Sequence, residues 1–456
     1  KFVANAKPQV LALEQKKKIF FLTNRHTQHN IAIETLKQIR SNCKVQLTVA
    51  DLIGKRWMCH QTISDLFGSD FNEYCKTVVE KGECDYYENV RQKKSLQIAA
   101  QFLIKDIETQ GALHNEELMS ITRDKRMCGY EISLALAKDA TVIIADYNYV
   151  FNSHVQSSFF NKIEWSLEES IVIIDEGHNL PARITDMLST NLNTLMIKNA
   201  VLEAKKFGYG GVIIWLQEMA RVVHEMSNFQ NNTTEILVSK EEFTAKIQKI
   251  VDYDQLVTEL TFAADEIRKK QRKSFLGGIV NFLEAWQGSN EGYVRFLAEK
   301  QTKFGPVSTL SYLCLDPSIV TKNIFDRIHS GVIMSGTLKP TSMFKEILGI
   351  TRAVQKEYAS PFPPENKLAL VVPQTTTKFT ERGEQMYQKI ATLGAHFSSL
   401  IPGNIAFFFP SYDMRDRISI HFKSHKQLFY EKPDMSKEDK ERFIAEFKGV
   451  KENGGV

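Results

Sequence analysis

Cysteine is scarce, with six residues in a chain of 456. That is too few for the disulfide framework of a secreted scaffold and predicts a reducing, intracellular setting. Long apolar runs are missing too. The best are Ile171-Val-Ile-Ile174 and Ile405-Ala-Phe-Phe-Phe409, far short of the ~20 residues a membrane-spanning helix needs. The opening residues hold no apolar core followed by a small-residue cleavage site, so no secretory signal is read there. With 23 Gly and 12 Pro the chain is not collagen-like, and 43% hydrophobic with 25% charged residues excludes disorder as its dominant state. Charge of one sign is modest as well: a formal net charge of +4 permits a nucleic-acid partner without arguing for one. At ~150 residues per domain the length predicts about three domains. There is no internal repeat and no low-complexity tract. The chain opens on Lys1 and stops at Asn453-Gly-Gly-Val456, which reads as a piece cut from a longer protein.

What is present is a recurring strand, polar loop and helix. Lys18-Ile-Phe-Phe-Leu-Thr23 is closed by Asn24-Arg-His-Thr-Gln28, and Ile31, Leu36 and Ile39 follow at roughly helical spacing. Ala140-Thr-Val-Ile-Ile-Ala145 leads into Asp146-Tyr-Asn-Tyr149, and Ile171-Val-Ile-Ile174 into Asp175-Glu-Gly-His178. Gly331-Val-Ile-Met334 leads into Ser335-Gly-Thr337. Continuous β-branched runs bounded by polar loops suit strands buried on both faces of a parallel sheet. These pieces predict an α/β fold whose loops gather at the carboxyl edge, where such sheets bind ligands. Two stretches interrupt it: a charged segment at 52–135 with four of the cysteines, and a mostly helical one at 188–305. After about 340 the α/β pattern resumes, with strands expected near Ala369-Leu-Val-Val372 and Ile405–Phe409.

Asp175 and Glu176 follow an apolar strand directly, which is the Walker B arrangement. Phosphoryl transfer asks for such a pair: one carboxylate holds Mg²⁺ through water and the next positions or deprotonates the attacking water. An acidic turn with no metal is the plainer alternative. The following Gly177-His178 and the later Ser335-Gly336-Thr337 favour the functional reading, because those two hydroxyls suit His178 as hydrogen-bond partners.

Cys59, Cys75, Cys84 and Cys128 are separated by 15, 8 and 43 residues. This matches neither paired zinc knuckles nor the ferredoxin spacings. Spacing supports a four-thiolate site without choosing its metal, and buried free thiols or a zinc site stay open. Cys43 and Cys314 lie in strand-like sequence and are expected to be packing residues.

Taken together, the chain resembles the XPD-like iron–sulfur helicases of superfamily 2, which include XPD, FANCJ and DinG. The matching segments are Gly54-Lys-Arg-Trp-Met-Cys59, Cys75, Cys84, Cys128, Ala145-Asp-Tyr-Asn-Tyr149 and Asp175-Glu-Gly-His178. They continue with Cys314-Leu-Asp-Pro317, Met334-Ser-Gly-Thr337, Ser360-Pro-Phe-Pro363 and Phe409-Pro-Ser-Tyr412. The details look most like archaeal XPD relatives. The resemblance implies a RecA-like parallel-sheet motor domain at 1–51, 136–187 and 306–340. It implies a [4Fe-4S] domain at 52–135 held by the four cysteines, a helical arch at 188–305, and a partial second RecA-like domain at 341–456. It further implies an ATP-driven DNA helicase of 5′→3′ direction, cytoplasmic, monomeric and acting in DNA repair on single strands and single-strand/duplex junctions. Asp175 would bind Mg²⁺ and Glu176 would activate water. His178 with Ser335, Gly336 and Thr337 would couple hydrolysis to DNA grip. Arg25, Gln28, Ser411 and Tyr412 would touch DNA, and Tyr147 and Tyr149 would stack on bases unless they pack in the core.

Three departures stand out. The family's Arg-Thr-His-Ser-Gln is here Asn24-Arg25-His26-Thr27-Gln28, with the arginine displaced by one position. Gly177 replaces the alanine of DEAH. The phosphate loop G-x-x-x-x-G-K-[ST] has no match, since the first glycine is Gly54. Lys1 is therefore expected to begin within the helix after that loop, and the fragment to be inactive by itself. Two rivals remain: a nucleic-acid-binding module with a structural zinc or cluster and no ATPase, and an enzyme that displaces strands with little processive unwinding.

Overall fold

The computed structural model describes residues 17–61, 68–93, 95–227, 234–271, 274–302, 305–435, 437–450 and 454–456. The helix expected at Lys1 and the ending at Asn453 lie outside them. Strands β1 (Lys18–Thr23), β2 (Val49–Asp51), β3 (Val142–Asp146), β4 (Ser170–Ile174), β5 (Thr190–Asn193), β6 (Glu235–Leu237), β7 (Tyr293–Thr302), β8 (Gly305–Cys314) and β9 (Ser330–Ile333) divide between two sheets. The first has the order β9-β4-β1-β3-β2 and is parallel throughout, as the β-branched runs predict. Its registers place Thr23 beside Asp146, and Leu22 and Ile333 each beside Ile174. The loops after β1, β3, β4 and β9 therefore emerge at one edge.

Side chains alternate across this sheet and build a core on each face. Ile19, Val49, Val142, Ile144 and Ile171 pack on one side with Ala32, Ile33 and Leu36 of helix His29–Cys43. Phe20, Leu22, Ile143, Val172 and Ile174 pack on the other with Val150, Phe159 and Phe160. Each such large side chain contributes about 1.5–3 kcal/mol when fully buried. Among the described residues, no helix is long and apolar enough to cross a membrane.

Much of the cysteine-rich segment joins the second of these cores through Met58, Val90, Leu103, Leu118 and Met127. Around helix Gly68–Glu80 matters differ. Its own cluster is the buried Phe71 with Cys59, Tyr74 and Cys75 packed on it, too little apolar material to hold a subdomain alone.

Helices Thr194–Phe207, Gly210–Met226, Tyr253–Lys270 and Phe275–Trp286 form a separate core in which Phe243, Phe282 and Trp286 meet ring to ring. They lean on the second sheet, antiparallel and ordered β5-β8-β7-β6. Strand β8 belongs to this sheet, whereas the resemblance places 306–340 with the parallel-sheet motor. Its inward residues Ser308, Leu310, Tyr312 and Cys314 alternate with half-buried ones, the signature of a one-faced antiparallel strand. Cys314 is buried, as expected. Cys43 is not: it ends a helix and is exposed, because the last turn of that helix clears the sheet.

Contacts divide the chain after Lys356, whereas the resemblance implies a boundary at 340/341. Thr321 donates to the Leu348 carbonyl (2.8 Å), which ties the segment following Thr341–Ile347 to the first unit. In the second unit, helices Glu384–Leu400 and Tyr412–Ser419 pack through Tyr387, Ala391, Met414 and Ile418. The strands expected at 369–372 and 405–409 are absent. Neither segment joins a strand ladder among the described residues: Ile405 N–H donates to the Gly455 carbonyl (2.9 Å) but no ladder continues from it, and Val371 and Phe408 are 91% and 93% exposed. An apolar run becomes a strand only where a neighbour takes its N–H and C=O groups.

Candidate functional site

The carboxyl edge of the parallel sheet carries the carboxylate pair. Asp175 N–H donates to the Leu22 carbonyl (2.9 Å), continuing the β4–β1 ladder past the end of the strand. Glu176 then turns into the left-handed region, φ 49° and ψ 42°, which costs a non-glycine residue about 1–2 kcal/mol. Several bonds hold it there. Gly177 N–H donates to the Met334 carbonyl (3.0 Å), while Tyr147 Oη donates to the carbonyls of Asp175 (2.5 Å) and Glu176 (3.1 Å). A strained turn so tied from three elements is the kind that persists at functional sites.

Side chains complete the cluster. Ser335 Oγ donates to Glu176 Oε2 (3.1 Å) and accepts from Thr337 N–H (3.1 Å). With its single hydrogen thus committed, it accepts from His178 Nδ1 at 2.6 Å, which places the imidazole proton on Nδ1. His178 Nδ1 also stands 3.2 Å from Glu176 Oε2. Thr337 Oγ1 is 3.3 Å from Ser335 Oγ and thus reaches His178 only through it. Gly336 has nothing within 4 Å of an added Cβ. The structure therefore brings Glu176, His178, Ser335 and Thr337 into one network across the loops after β4 and β9. Asp175 stands beside it, half-buried, and burial pushes its carboxyl above the ordinary range, with the neighbouring Glu176 charge adding to the rise.

Tyr147 and Tyr149 both lie in the core. They are 3% and 4% exposed, Tyr149 Oη donates to the Ile53 carbonyl (2.9 Å), and Tyr147 braces the carboxylate turn. Neither ring offers a free face, so the core-packing alternative is the one realised. Arg25 is exposed at the loop after β1, and its N–H bonds the side chain of half-buried Gln28 (3.2 Å). Asn24, where the family has its arginine, accepts from Arg183 Nε (2.7 Å). In the second unit, Ser411 Oγ caps helix Tyr412–Ser419 by accepting from Met414 N–H (3.2 Å), and Arg415 lies over the Tyr412 ring.

The four cysteines of the insertion line one cavity, despite spacings that match no common ligand pattern. Burial pushes the Cys128 thiol up to about 12 and raises Cys59 as well. Neutral at ordinary pH, such thiols ionise when a cation takes the proton's place. Burial alone would lower the Lys55 ammonium, but its hydrogen bond and charge contact with Cys75, together with Glu131 and Cys128, carry it above its ordinary value. Among the described residues, no three His, Cys, Asp or Glu side chains converge closely enough to hold a single metal ion.

A second polar cluster was not legible in the sequence. Buried His29 and Asp51 pair at 2.5 Å, and Asn115 donates to Asp51 from N and Nδ2, each at 2.8 Å. It ties the helix after β1 to β2 and to helix Asn115–Asp124 of the cysteine-rich segment.

The DEAD_2 family model matches residues 21–197. The general transcription and DNA repair factor IIH helicase subunit XPD/RAD3 of Saccharomyces cerevisiae is 21% identical over 432 residues, covering 77% of this chain and 54% of its own. A regulator of telomere elongation helicase 1 homolog of Oryza sativa is 23% identical, covering 88% of this chain and 44% of its own. The ATP-dependent DNA helicase XPD of Sulfolobus acidocaldarius is 24% identical and covers 94% of this chain and 70% of its own. The chain thus spans about half the length of the first two of these relatives. Among solved structures, one described as XPD_Helicase superposes with a TM-score of 0.54 at 19% identity, over 99% of this chain and 74% of its own. The S. tokodaii Xpd4 structure gives 0.52 at 15%, over 98% and 72%. At these identities the likeness establishes the fold.

Proposed function

Because the chain belongs to the XPD-like helicases of superfamily 2, we propose that it is the motor portion of an ATP-dependent DNA helicase acting in repair. The observation that carries this reading is the Glu176–Ser335–His178 network, which joins the water-activating position to the loop after the neighbouring strand. Asp175 would hold Mg²⁺ through water. Glu176, fixed in its turn, would orient and deprotonate the attacking water. His178, Ser335 and Thr337 would register that event and pass it to the DNA-gripping loops. Arg25 and Gln28 are the candidate DNA contacts of the first unit, with Ser411 and Tyr412 those of the second. Movement in the 5′→3′ direction along single strands, and action at single-strand/duplex junctions as a monomer, are what the resemblance adds.

No phosphate loop occurs in the 456 residues, so these residues supply the Mg²⁺ and water side of the site without a cradle for the triphosphate. In the complete gene product, Glu176→Gln is expected to abolish DNA-stimulated ATP turnover while single-strand binding persists. Undiminished turnover would remove Glu176 from its role. Single-strand binding by a complete product that consumes no ATP would favour the rival binding module.

For the cysteine cavity we propose a [4Fe-4S] cluster held by Cys59, Cys75, Cys84 and Cys128. Four thiols around one cavity with a lysine among them suit an anionic, thiolate-ligated centre. A single zinc ion at Zn–S distances of about 2.3 Å asks for closer convergence. When bound, the cluster would cross-link a subdomain whose apolar core is little more than Phe71. Iron and acid-labile sulfide, four of each per chain after anaerobic purification, are the expected analysis; stoichiometric zinc without sulfide would overturn the assignment.

A further inference from the structure

Two residues of the cysteine cavity have no place in the reading so far, yet they are joined in series to one of its sulfurs. Gln61 Nε2 lies 3.4 Å from Cys84 Sγ, and Tyr74 Oη lies 3.2 Å from Gln61 Oε1. Both side chains line the cavity with the four cysteines. A thiolate is acceptor-only, so the amide must turn its nitrogen to the sulfur. Its oxygen then faces the tyrosine hydroxyl, which donates. Tyr74 sits on helix Gly68–Glu80 one residue before Cys75, whereas Gln61 lies two after Cys59. The relay thus reaches Cys84 from the segments that carry two other cysteines, and Tyr74 fixes which end of the amide meets it.

We infer that Gln61, oriented by Tyr74, is a positioning residue that donates a hydrogen bond to the Cys84 thiolate and thereby raises the reduction potential of the iron–sulfur centre. The inference rests on the cluster assignment made above. Its physics is simple. Reduction adds negative charge to the centre and its sulfurs. An N–H donor to a ligating sulfur stabilises that added charge, which is one of the recognised levers on iron–sulfur potentials. Lys55 supplies charge near Cys75, whereas Cys84 receives a neutral donor whose direction a second residue must set. Among the cavity's aromatic residues, Tyr86 packs its ring against His60 and serves as a reference position that has no bond to sulfur in this relay.

The test uses the whole chain, purified anaerobically, with Gln61→Leu, Tyr74→Phe and Tyr86→Phe variants. Iron and sulfide content is measured first, and the midpoint potential then by titration with dithionite, followed through the visible absorption. Full loading of the native chain, a shift to more negative potential in Gln61→Leu, a smaller shift of the same sign in Tyr74→Phe and none in Tyr86→Phe are the expected results. A loaded Gln61→Leu chain with the native potential would overturn the inference and leave the cluster assignment intact. A native chain devoid of iron and sulfide would overturn the assignment, and the inference with it. If Gln61→Leu fails to load, Tyr74→Phe decides alone, since it keeps the amide and removes only the hydroxyl that aims it; an unshifted potential there overturns the inference.

Discussion

Ile333 occupies the space that a side chain at Gly177 would need: an ideal Cβ on Gly177 falls 2.2 Å from Ile333 Cγ2. The glycine that stands in the family's alanine position is thus matched to a bulky residue at the end of β9. Its small size lets the turn after β4 press against the strand that delivers Ser335. Gly177→Ala is expected to cost about 1–3 kcal/mol by overpacking, read as a lower thermal midpoint. Adding Ile333→Ala should recover part of that loss, a coupling that a double-mutant cycle measures.

Tyr147 braces the same turn from the other side. Tyr147→Phe removes the hydroxyl shared between the carbonyls of Asp175 and Glu176; the Glu176 carbonyl keeps Asn179 N–H (2.9 Å), while the Asp175 carbonyl loses its short bond, at about 1–3 kcal/mol. In the complete gene product kcat for ATP should fall while single-strand affinity stays near the native value. Loss of DNA affinity with kcat intact would instead restore the stacking role that burial argues against.

The raised carboxyl of Asp175 fixes the sign of a pH effect. A carboxyl whose folded pKa lies above its unfolded one destabilises the fold when ionised. Stability therefore rises as pH falls through the folded value toward the ordinary Asp range, about 3.9. Without Mg²⁺, Asp175→Asn should raise the thermal midpoint at pH 7, and the gain should shrink as the pH falls into that window. A variant less stable than native at pH 7 would contradict the burial account.

Asp51 accepts three hydrogen bonds in a buried site, one from His29 and two from Asn115. Asp51→Ala strands those donors and is expected to cost at least about 1–3 kcal/mol. A lower denaturant midpoint checks it. Because the network reaches helix Asn115–Asp124, protease sensitivity should rise in the cysteine-rich segment as well as in the motor sheet.

How much of this was legible from sequence varies by element. Strands such as Lys18–Thr23 and Ser170–Ile174 are dense in β-branched and aromatic residues and buried on both faces, so local pattern sufficed. The carboxylate pair was legible because it follows such a strand directly, and its link to Ser335 because a motif names both ends. Tyr147 stays open between stacking and packing in the sequence for a physical reason: an aromatic residue after a strand reads alike whether its ring meets a base or its hydroxyl meets a carbonyl, and only burial separates the two. The segments at 369–372 and 405–409 carry strand-forming residues, but pairing is a property of neighbours. The cysteine cavity is the extreme case, since thiols separated by 15, 8 and 43 residues meet only after helix Gly68–Glu80 and the chain around Cys128 have folded. Gln61 gave no signal at all, because an amide beside a thiol has no spacing rule.

ATP consumption by the complete gene product, with and without a single-stranded oligonucleotide, tests the central claim most directly. Turnover that rises on adding the oligonucleotide and vanishes in Glu176→Gln is the predicted result. No turnover under either condition, from a folded protein that carries its phosphate loop, would contradict it.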